Sequence, residues 1–271
     1  MRRKTPLKSS YNIAWIVVAT HRMLPLADVL IKSLVKLRIP SLSIYLIKVK
    51  EGRDGYAHGV NLGICNALAD SPKYFIISNP DIAVSPSLAR QLLAPSKHFD
   101  VWGYAMKQQG VMYYGGAVDQ WRMSGGLVSE KPDKRFAPVD FVSGSLMGFA
   151  QSVVDTIGTF DEQYGMYYED TDFCTRAKLA GLSVGIDRDR KYDHFETSSK
   201  SRYRERKELA LALGRLRYFL KYADVQNMTF EIARLPLTLW EYRRLIKKHA
   251  LPALGGRASR RFKRIFNFVR K

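Results

Sequence analysis

The chain has 271 residues, of which 46% are hydrophobic, and its formal net charge is +19. That length and composition suit one large α/β domain, or one domain with an appendage, and argue against an intrinsically disordered chain. No stretch reaches the roughly 18 to 20 consecutive apolar residues that span a bilayer. The two cysteines, Cys65 and Cys174, exclude a disulfide framework and are expected to be buried thiols.

The first half of the chain alternates strand and helix patterns. Short apolar runs rich in β-branched and aromatic residues predict strands, and longer segments with apolar residues at helical spacing predict helices. This alternation predicts an α/β fold with a mainly parallel central sheet flanked by helices, in which ligands bind beyond the carboxyl ends of the strands. The predicted strands are 13–19, 43–49 and 74–77, and the predicted helices are 26–37, 59–69 and 86–93.

The beginning of the chain superficially resembles a signal peptide. Its apolar segment at 13–19 is short, however, and no small-residue cleavage site follows it. We interpret this segment as the first core strand, and we therefore expect a cytoplasmic protein.

The second half is less regular. The pattern loosens from 101 to 138, where glycine pairs indicate turns, and order returns with a strand or strand pair at 139–150. The remaining predictions are a helix from near Ser152, a loop at 160–162, a helix from near Asp170 to Gly181, a strand at 182–186, a polar loop at 190–201 and basic helices beyond Arg202.

The densest group of carboxylates is Glu169, Asp170 and Asp172, directly after two tyrosines. Acidic residues favour the start of a helix because they interact with its dipole and cap its N–H groups, so a purely structural role stays open. Capping needs only one oxygen, however. A carboxylate in a partly apolar cleft has a raised proton affinity, which suits a general base.

Asp81 follows the strand at 74–77 and a proline, at the edge of the sheet where ligands are expected. An ordinary turn carboxylate is the alternative. His194, in the segment YDHFETSSKS, gains importance only if it converges with Asp81 on one cation. Oxygen-rich sites for Mg²⁺ or Mn²⁺ can include an imidazole.

Two segments carry a resemblance to a known family. GYAHGVNLGICNALADSPKYFIISNPDIAV (residues 55–84) resembles the nucleotide-sugar half of family-2 glycosyltransferases with the GT-A fold, in particular bacterial rhamnosyltransferases. VDFVSGSLMGFAQSVVDTIGTFDEQYGMYYEDTDFCTRAKLAGLSVGI (residues 139–186) is similar to the acceptor half of that family. The match covers residues 11 to 200, and two motifs in the right order are more specific than either one alone.

The resemblance implies roles for the carboxylates. Asp81 would bind the divalent ion, Mn²⁺ or Mg²⁺, that bridges the donor diphosphate, with Asn79 at the first position of that element, and His194 would contact the metal or the diphosphate. Asp170 would be the base that deprotonates the acceptor hydroxyl in an inverting reaction. Glu169 and Asp172 would support it or orient the acceptor.

The resemblance also implies residues that bind the nucleotide. Gly55 to Gly63 would line it, with Asn61 as the main polar contact, and Thr20 and Arg22 would contribute from the end of the first strand. The chain departs from the family where the second strand ends, because lysines stand where an aspartate usually holds the base or ribose. Glu51 or Asp54 is a possible substitute, which leaves the identity of the base open.

Most of the excess positive charge lies near the end of the chain, since residues 200–271 contain 20 Lys/Arg and 5 Asp/Glu. The segments 237–254 and 260–271 interleave basic with apolar residues, a pattern typical of helices that lie in an anionic membrane surface. A basic appendage packed on the catalytic domain is the alternative. We therefore expect a peripheral protein at the inner face of the cell membrane.

The sequence thus predicts a GT-A catalytic domain at 1–200, with a nucleotide-sugar half at 11–100 and an acceptor half at 101–200, and a basic amphipathic extension at 201–271. The predicted function is metal-dependent, inverting sugar transfer from a nucleoside-diphosphate sugar, deoxythymidine-diphosphate-rhamnose or a uridine-diphosphate sugar. The acceptor is a glycan, lipid-linked or not, and the role implied is bacterial surface polysaccharide synthesis. The alternatives are a non-catalytic sugar-nucleotide or glycan binding protein and a basic nucleic-acid-binding protein, although no nucleic-acid motif is present.

Overall fold

The computed structural model describes residues 12–39, 41–50, 54–92, 96–196, 201–237 and 240. The basic segments 237–254 and 260–271 lie almost entirely outside this part of the chain. By its internal contacts the chain divides into two units. The first extends to Lys221 without Gln120–Arg122, and the second combines those three residues with the chain from Tyr222 onward.

Strands form the centre of the first unit, and nine of those in the described part of the chain belong to one sheet. The strands are β1 (Ile13–Thr20), β2 (Leu42–Val49), β3 (Tyr74–Ser78), β4 (Ile82–Ala83), β5 (Val101–Gln108), β6 (Val111–Tyr113), β7 (Gly116–Asp119), β8 (Ser124–Leu127), β9 (Phe136–Pro138), β10 (Leu146–Ala150) and β11 (Val184–His194).

The main path of the sheet runs in the order β2-β1-β3-β10-β5-β11-β4. β1 pairs in parallel with β2 and β3, and β5 pairs in parallel with β11, whereas β10 lies antiparallel between β3 and β5. Five of the seven strands on this path therefore run in one direction. The α/β class with a mainly parallel sheet, predicted from the alternating pattern, is confirmed.

Helices flank this sheet. They are α1 (Leu24–Val35), α2 (Tyr56–Leu68), α3 (Pro86–Leu92), α4 (Gln151–Ile157), α5 (Glu169–Leu179) and α6 (Ser201–Tyr222), with 3₁₀ turns at His21–Met23 and Glu162–Tyr164.

Both faces of β1 are buried, which explains its continuous apolar sequence. Odd-numbered residues such as Trp15 share a cluster with Ala27, Leu30 and Leu34, whose spacing places them on one side of α1. On the other face α2 approaches so closely that a Cβ on Gly63 would lie 2.3 Å from Ile16 Cγ2. Helices therefore cover both faces of β1.

The structure corrects three local predictions. The loosely patterned segment 101–138 contains β5 to β9. Most of these strands are short, and β8 reads Ser-Gly-Gly-Leu, so neither length nor β propensity revealed them. The segment 190–194 is not a loop but the end of β11, whose charged sequence contains a bulge between Asp187 and Lys191. Cys65 is exposed, while Cys174 is buried as expected.

The second unit contains a helix at residues 225–237. Asn227 is buried there, and its side-chain amide donates a hydrogen bond to the Gln120 carbonyl over 2.6 Å, while the rings of Trp121 and Phe230 lie 5.6 Å apart. Within the described ranges, no helix combines the length and the apolar character that crossing a bilayer requires.

Candidate active site

Asp81 is held at the edge of the sheet by the backbone on both sides. After β3, the Asn79 N–H donates to the Ser145 carbonyl over 3.0 Å, and the Asp81 carbonyl accepts a hydrogen bond from the Phe195 N–H. β4 pairs antiparallel with the end of β11, in a register that places Ile82 opposite His194. The Asp81 side chain is only 5% exposed. The two neighbouring strands thus fix a buried carboxylate beside an imidazole.

The structure brings Asp81, His194 and Asn79 together. The hypothesis of a metal site required His194 to lie close to Asp81, and it does. His194 Nε2 lies 3.4 Å from Asp81 Oδ1 and 3.3 Å from Asn79 Nδ2. Within the described residues no group of three His, Cys, Asp or Glu side chains is arranged to hold a metal ion. An ion at this position would therefore need further oxygen ligands from substrate or water.

A series of side-chain hydrogen bonds fixes the orientation of His194, and the sequence analysis missed it. Glu196, which is buried, accepts hydrogen bonds from Lys207 and from the Gln108 amide nitrogen. The Gln108 amide oxygen consequently faces His194 Nδ1 at 3.2 Å, and this nitrogen must carry the ring proton. In the neutral ring the lone pair of Nε2 then faces Asp81 Oδ1 and Asn79 Nδ2. A carboxylate oxygen and the His194 Nε2 nitrogen suit a divalent ion such as Mn²⁺, so the residues present fit the metal that the resemblance implies.

The acidic start of α5 lies after a strained backbone. Tyr167 and Tyr168 have φ angles of 70° and 71°, a left-handed conformation that side chains other than glycine rarely adopt. Asp170 Oδ2 accepts a hydrogen bond from the Gly144 N–H over 2.9 Å, and Oδ1 accepts one from the Thr171 N–H over 2.8 Å. These bonds orient the carboxylate toward the segment at 143–145.

Burial changes the proton affinity of both acids at this position. Burial raises the pKa of the Asp170 carboxyl, although the hydrogen bonds from Gly144 and Thr171 act in the opposite direction. Burial, and then the charge of Asp170, raises the pKa of the Glu169 carboxyl well above its ordinary value. Glu169 is 5% exposed, and its Oε2 has no hydrogen-bond partner among the described residues. The arrangement suits proton transfer.

The segment 143–145 connects the two groups of candidate residues. Its Gly144 N–H binds Asp170, and its Ser145 carbonyl binds the Asn79 N–H. The Tyr56 hydroxyl, which the sequence analysis missed, donates to the Gly144 carbonyl over 2.7 Å. Burial, and then the charges of Glu169 and Asp170, raises the pKa of this phenol, so it stays a donor. Asp81 and Asp170 are thus joined through one short backbone segment.

Asp172 does not lie with Glu169 and Asp170. Its side chain is fully buried and pairs with Arg176 and Lys221, each over 2.8 Å, and Lys221 also binds Asp161 over 2.8 Å. Arg176 in turn donates to the carbonyls of Ile157 and Thr159. We refer to Asp161, Asp172, Arg176 and Lys221 as the ion-pair cluster. It joins α5, α6 and the loop between α4 and α5.

The two residues predicted to line the nucleotide from α2 make contacts within the protein. The Asn61 amide donates to the Phe160 carbonyl and to Glu162, and its oxygen accepts a hydrogen bond from the Phe160 N–H. A Cβ on Gly55 would lie 2.4 Å from the Gly165 carbonyl oxygen. Asn61 and Gly55 therefore hold α2 against the loop at 160–165, and a nucleotide contact by either residue stays a prediction.

Thr20 and Arg22 lie at the same edge of the sheet as Asp81. Thr20 is the last residue of β1, which pairs in parallel with β3, and Arg22 is exposed in the 3₁₀ turn that follows. Of the two acids considered as substitutes at the end of the second strand, Glu51 lies outside the described residues. Asp54 accepts a hydrogen bond from the Lys50 N–H over 3.0 Å.

Comparison with known proteins gives one match in sequence and a match in fold. No family model matches the chain. Over 142 residues it is 28% identical to the low-salt glycan biosynthesis hexosyltransferase Agl10 of Haloferax volcanii, covering 49% of this chain and 46% of that protein. The chain thus spans about half the length of this curated relative.

The structure resembles that of GalNAc-T7, which was crystallised with UDP, GalNAc and Mn²⁺. The TM-score is 0.56 at 14% identity, and the match covers 90% of this chain and 55% of that one. At this identity the likeness concerns the fold alone. The chain therefore has the α/β fold of a glycosyltransferase, and about half of it is similar in sequence to a hexosyltransferase.

Proposed function

We propose that the protein is a glycosyltransferase that moves a hexosyl group from a nucleoside-diphosphate sugar to a hydroxyl group of a glycan. The observation that supports this proposal is that the segment 143–145 hydrogen-bonds both Asp170 and Asn79, and Asn79 lies beside His194, which contacts Asp81. The similarity to a hexosyltransferase supports it.

In the proposed reaction Asp170 accepts the proton of the acceptor hydroxyl as its oxygen attacks the anomeric carbon of the donor. The bond from that carbon to the diphosphate oxygen breaks, and the nucleoside diphosphate leaves with the electron pair. Attack opposite the leaving group inverts the configuration at the anomeric carbon. The Gly144 N–H holds Asp170 in place, and the Tyr56 hydroxyl holds Gly144.

Asp81 and His194 are the residues that would hold a divalent ion, with Mn²⁺ favoured by the nitrogen ligand. When bound, such an ion supplies positive charge to the departing diphosphate. Gln108 and Glu196 would keep the Nε2 lone pair of His194 on the side of Asp81. We keep Thr20 and Arg22 as candidates for donor binding, because they lie at the same edge of the sheet.

The proposal is tested by the thermal stability of the purified protein with uridine, deoxythymidine, guanosine and cytidine diphosphates and their sugars, with and without Mn²⁺ or Mg²⁺. A ligand at about 100 times its dissociation constant stabilises the folded state by about 2.7 kcal/mol. We expect one nucleotide to raise the melting temperature in the presence of metal. This gain should be lost in Asp81→Asn and retained in Asp193→Asn, which changes an exposed aspartate on β11.

A gain that is independent of metal, or equal in Asp81→Asn, would contradict the proposed role of Asp81. Incubation of the stabilising sugar nucleotide with a glycan acceptor should then yield free nucleoside diphosphate and an extended glycan. Binding without any such product would indicate a sugar-nucleotide binding protein.

A further inference from the structure

The helix α6 presents a row of exposed leucines to solvent. Leu209, Leu213, Leu216 and Leu220 are 61%, 59%, 54% and 69% exposed. Their spacing of four, three and four residues places them on one side of the helix. We call these four residues the leucine stripe. Scattered surface leucines are ordinary, but four on one side of one helix form a patch that requires an explanation.

The opposite side of α6 is anchored in the first unit. Tyr218 is 2% exposed, and its hydroxyl lies 2.7 Å from the Thr175 hydroxyl. A Cβ on Gly214 would lie 2.9 Å from the Tyr167 carbonyl oxygen, so the helix packs closely at this residue. The leucine stripe is therefore held in one orientation and faces outward.

A groove of about 780 Å³ runs beside the stripe. Leu213, Leu216 and Leu220 line one side of it, and the loop containing Tyr164 and Met166 lines the other. Met166 is itself 49% exposed and extends the apolar surface. The apolar surface thus extends from α6 to the loop that precedes α5.

The charge around the stripe distinguishes between possible occupants. Of the four basic residues from 207 to 221, Lys207 pairs with Glu196, and Lys221 pairs with Asp161 and Asp172. The other charged residues of this stretch are Arg215, Arg217 and one acid, Glu208, and Arg217 is exposed between Leu216 and Leu220. The segment 241–271 of the same chain has eleven basic residues and one acid, and a second copy has the same net charge of +19. Either of these would bring like charges together, whereas an anionic surface complements them.

We propose that the leucine stripe and Met166 form a docking surface for an anionic phospholipid bilayer. The leucines enter the boundary between head groups and acyl chains, and the basic side chains beside them attract the acidic head groups. The surface belongs to the first unit, and it acts without the basic segments that the sequence analysis assigned to the membrane. It is also independent of the proposed sugar transfer.

The test is sedimentation of the full chain with vesicles of phosphatidylcholine alone or with about 30% phosphatidylglycerol. We expect binding to the anionic vesicles only, and we expect Leu213→Gln/Leu216→Gln to bind about tenfold more weakly. The control, Val29→Gln/Leu179→Gln, changes two equally exposed apolar residues outside α6 and should bind like the original chain. Circular dichroism checks that both variants are folded.

Three outcomes would overturn the proposal. The original chain could fail to bind the anionic vesicles, the α6 variant could bind as tightly as the control, or light scattering could show a dimer that the α6 variant alone dissociates. The last result would assign the stripe to a second copy. None of these measurements requires enzymatic activity, so failure here leaves the proposed transfer reaction untouched.

Discussion

The candidate site and the ion-pair cluster both include carboxylates from the first turn of α5, but they bury them in different ways. Asp172 is fully buried with two cations, Arg176 and Lys221. In the described part of the chain Glu169 and Asp170 have no such cation, and burial raises the pKa of both. Two carboxylates that are two residues apart, Asp170 and Asp172, therefore have opposite surroundings.

The difference indicates a division of tasks. A buried carboxylate that is paired with cations and hydrogen-bonded stabilises the arrangement of the elements around it, and losing one partner destabilises that arrangement. A buried carboxylate without a cation keeps an affinity for protons because burial disfavours its charge, although backbone N–H bonds act in the opposite direction. We therefore expect substitutions in the candidate site to change chemistry, and substitutions in the ion-pair cluster to change stability.

The largest effect is expected for Asp170→Asn. The variant retains an oxygen that accepts one of the two backbone hydrogen bonds but cannot accept the proton of the acceptor, so kcat should fall by about 10²- to 10⁴-fold. The melting temperature and nucleotide binding should change little. Measuring turnover and nucleotide affinity on the same preparation checks this. Normal turnover would exclude Asp170 as the base.

Asp172→Asn should have the reverse profile. Removing the charge of the fully buried Asp172 leaves the partly exposed Arg176 and Lys221 without their shared partner and should cost about 3 kcal/mol of stability. The melting temperature should then fall by roughly 6 to 12 °C. Turnover measured well below that temperature should stay within a small factor of the original. A large loss of turnover in a fully folded variant would place Asp172 in the chemistry instead.

The smallest effect concerns pH. The folded-state pKa of Glu169 is raised above its ordinary value of 4.5, so above that value the unfolded chain loses this proton before the folded chain does. The free energy of unfolding should therefore fall as the pH rises from the pKa of Glu169 in the unfolded chain to its pKa in the folded chain. The slope is at most about 1.4 kcal/mol per pH unit.

Glu169→Gln removes this ionisation, so the variant should match the original chain at acidic pH and exceed it at neutral pH. Urea unfolding at several pH values measures the difference. Glu130→Gln, at an exposed position, serves as the control and should show no such divergence. Parallel pH profiles for the original chain and Glu169→Gln would show that folding does not raise the pKa of Glu169.

The sequence predicted those parts of the fold whose signals are local. β1 and β3 are buried apolar runs, β2 is a partly buried strand rich in apolar residues, and α1 and α2 have apolar residues at helical spacing. β5 to β9 were missed because their pairing partners are distant in sequence or the strands are very short. The place of β10 between β3 and β5 also depends on non-local pairing, which a single sequence does not contain.

The same distinction applies to the candidate site. Asp81, His194 and the acidic start of α5 were singled out by their positions among the predicted elements, and the resemblance of ordered motifs then implied their roles. Tyr56 acts on Gly144, which is 88 residues away, and this contact leaves no pattern in the sequence. Glu196 and Gln108, which orient His194, were missed for the same reason.

The salt bridges of Lys221 also affect the order in which parts of the protein can fold during its synthesis. It is the last residue of the first unit, and it binds Asp161, which precedes it by 60 residues, as well as Asp172. Chains leave the ribosome N-terminus first. The helix that carries the candidate base is therefore made before the lysine that completes its buried pairing. We expect α5 to reach its final packing only after the end of α6 has emerged.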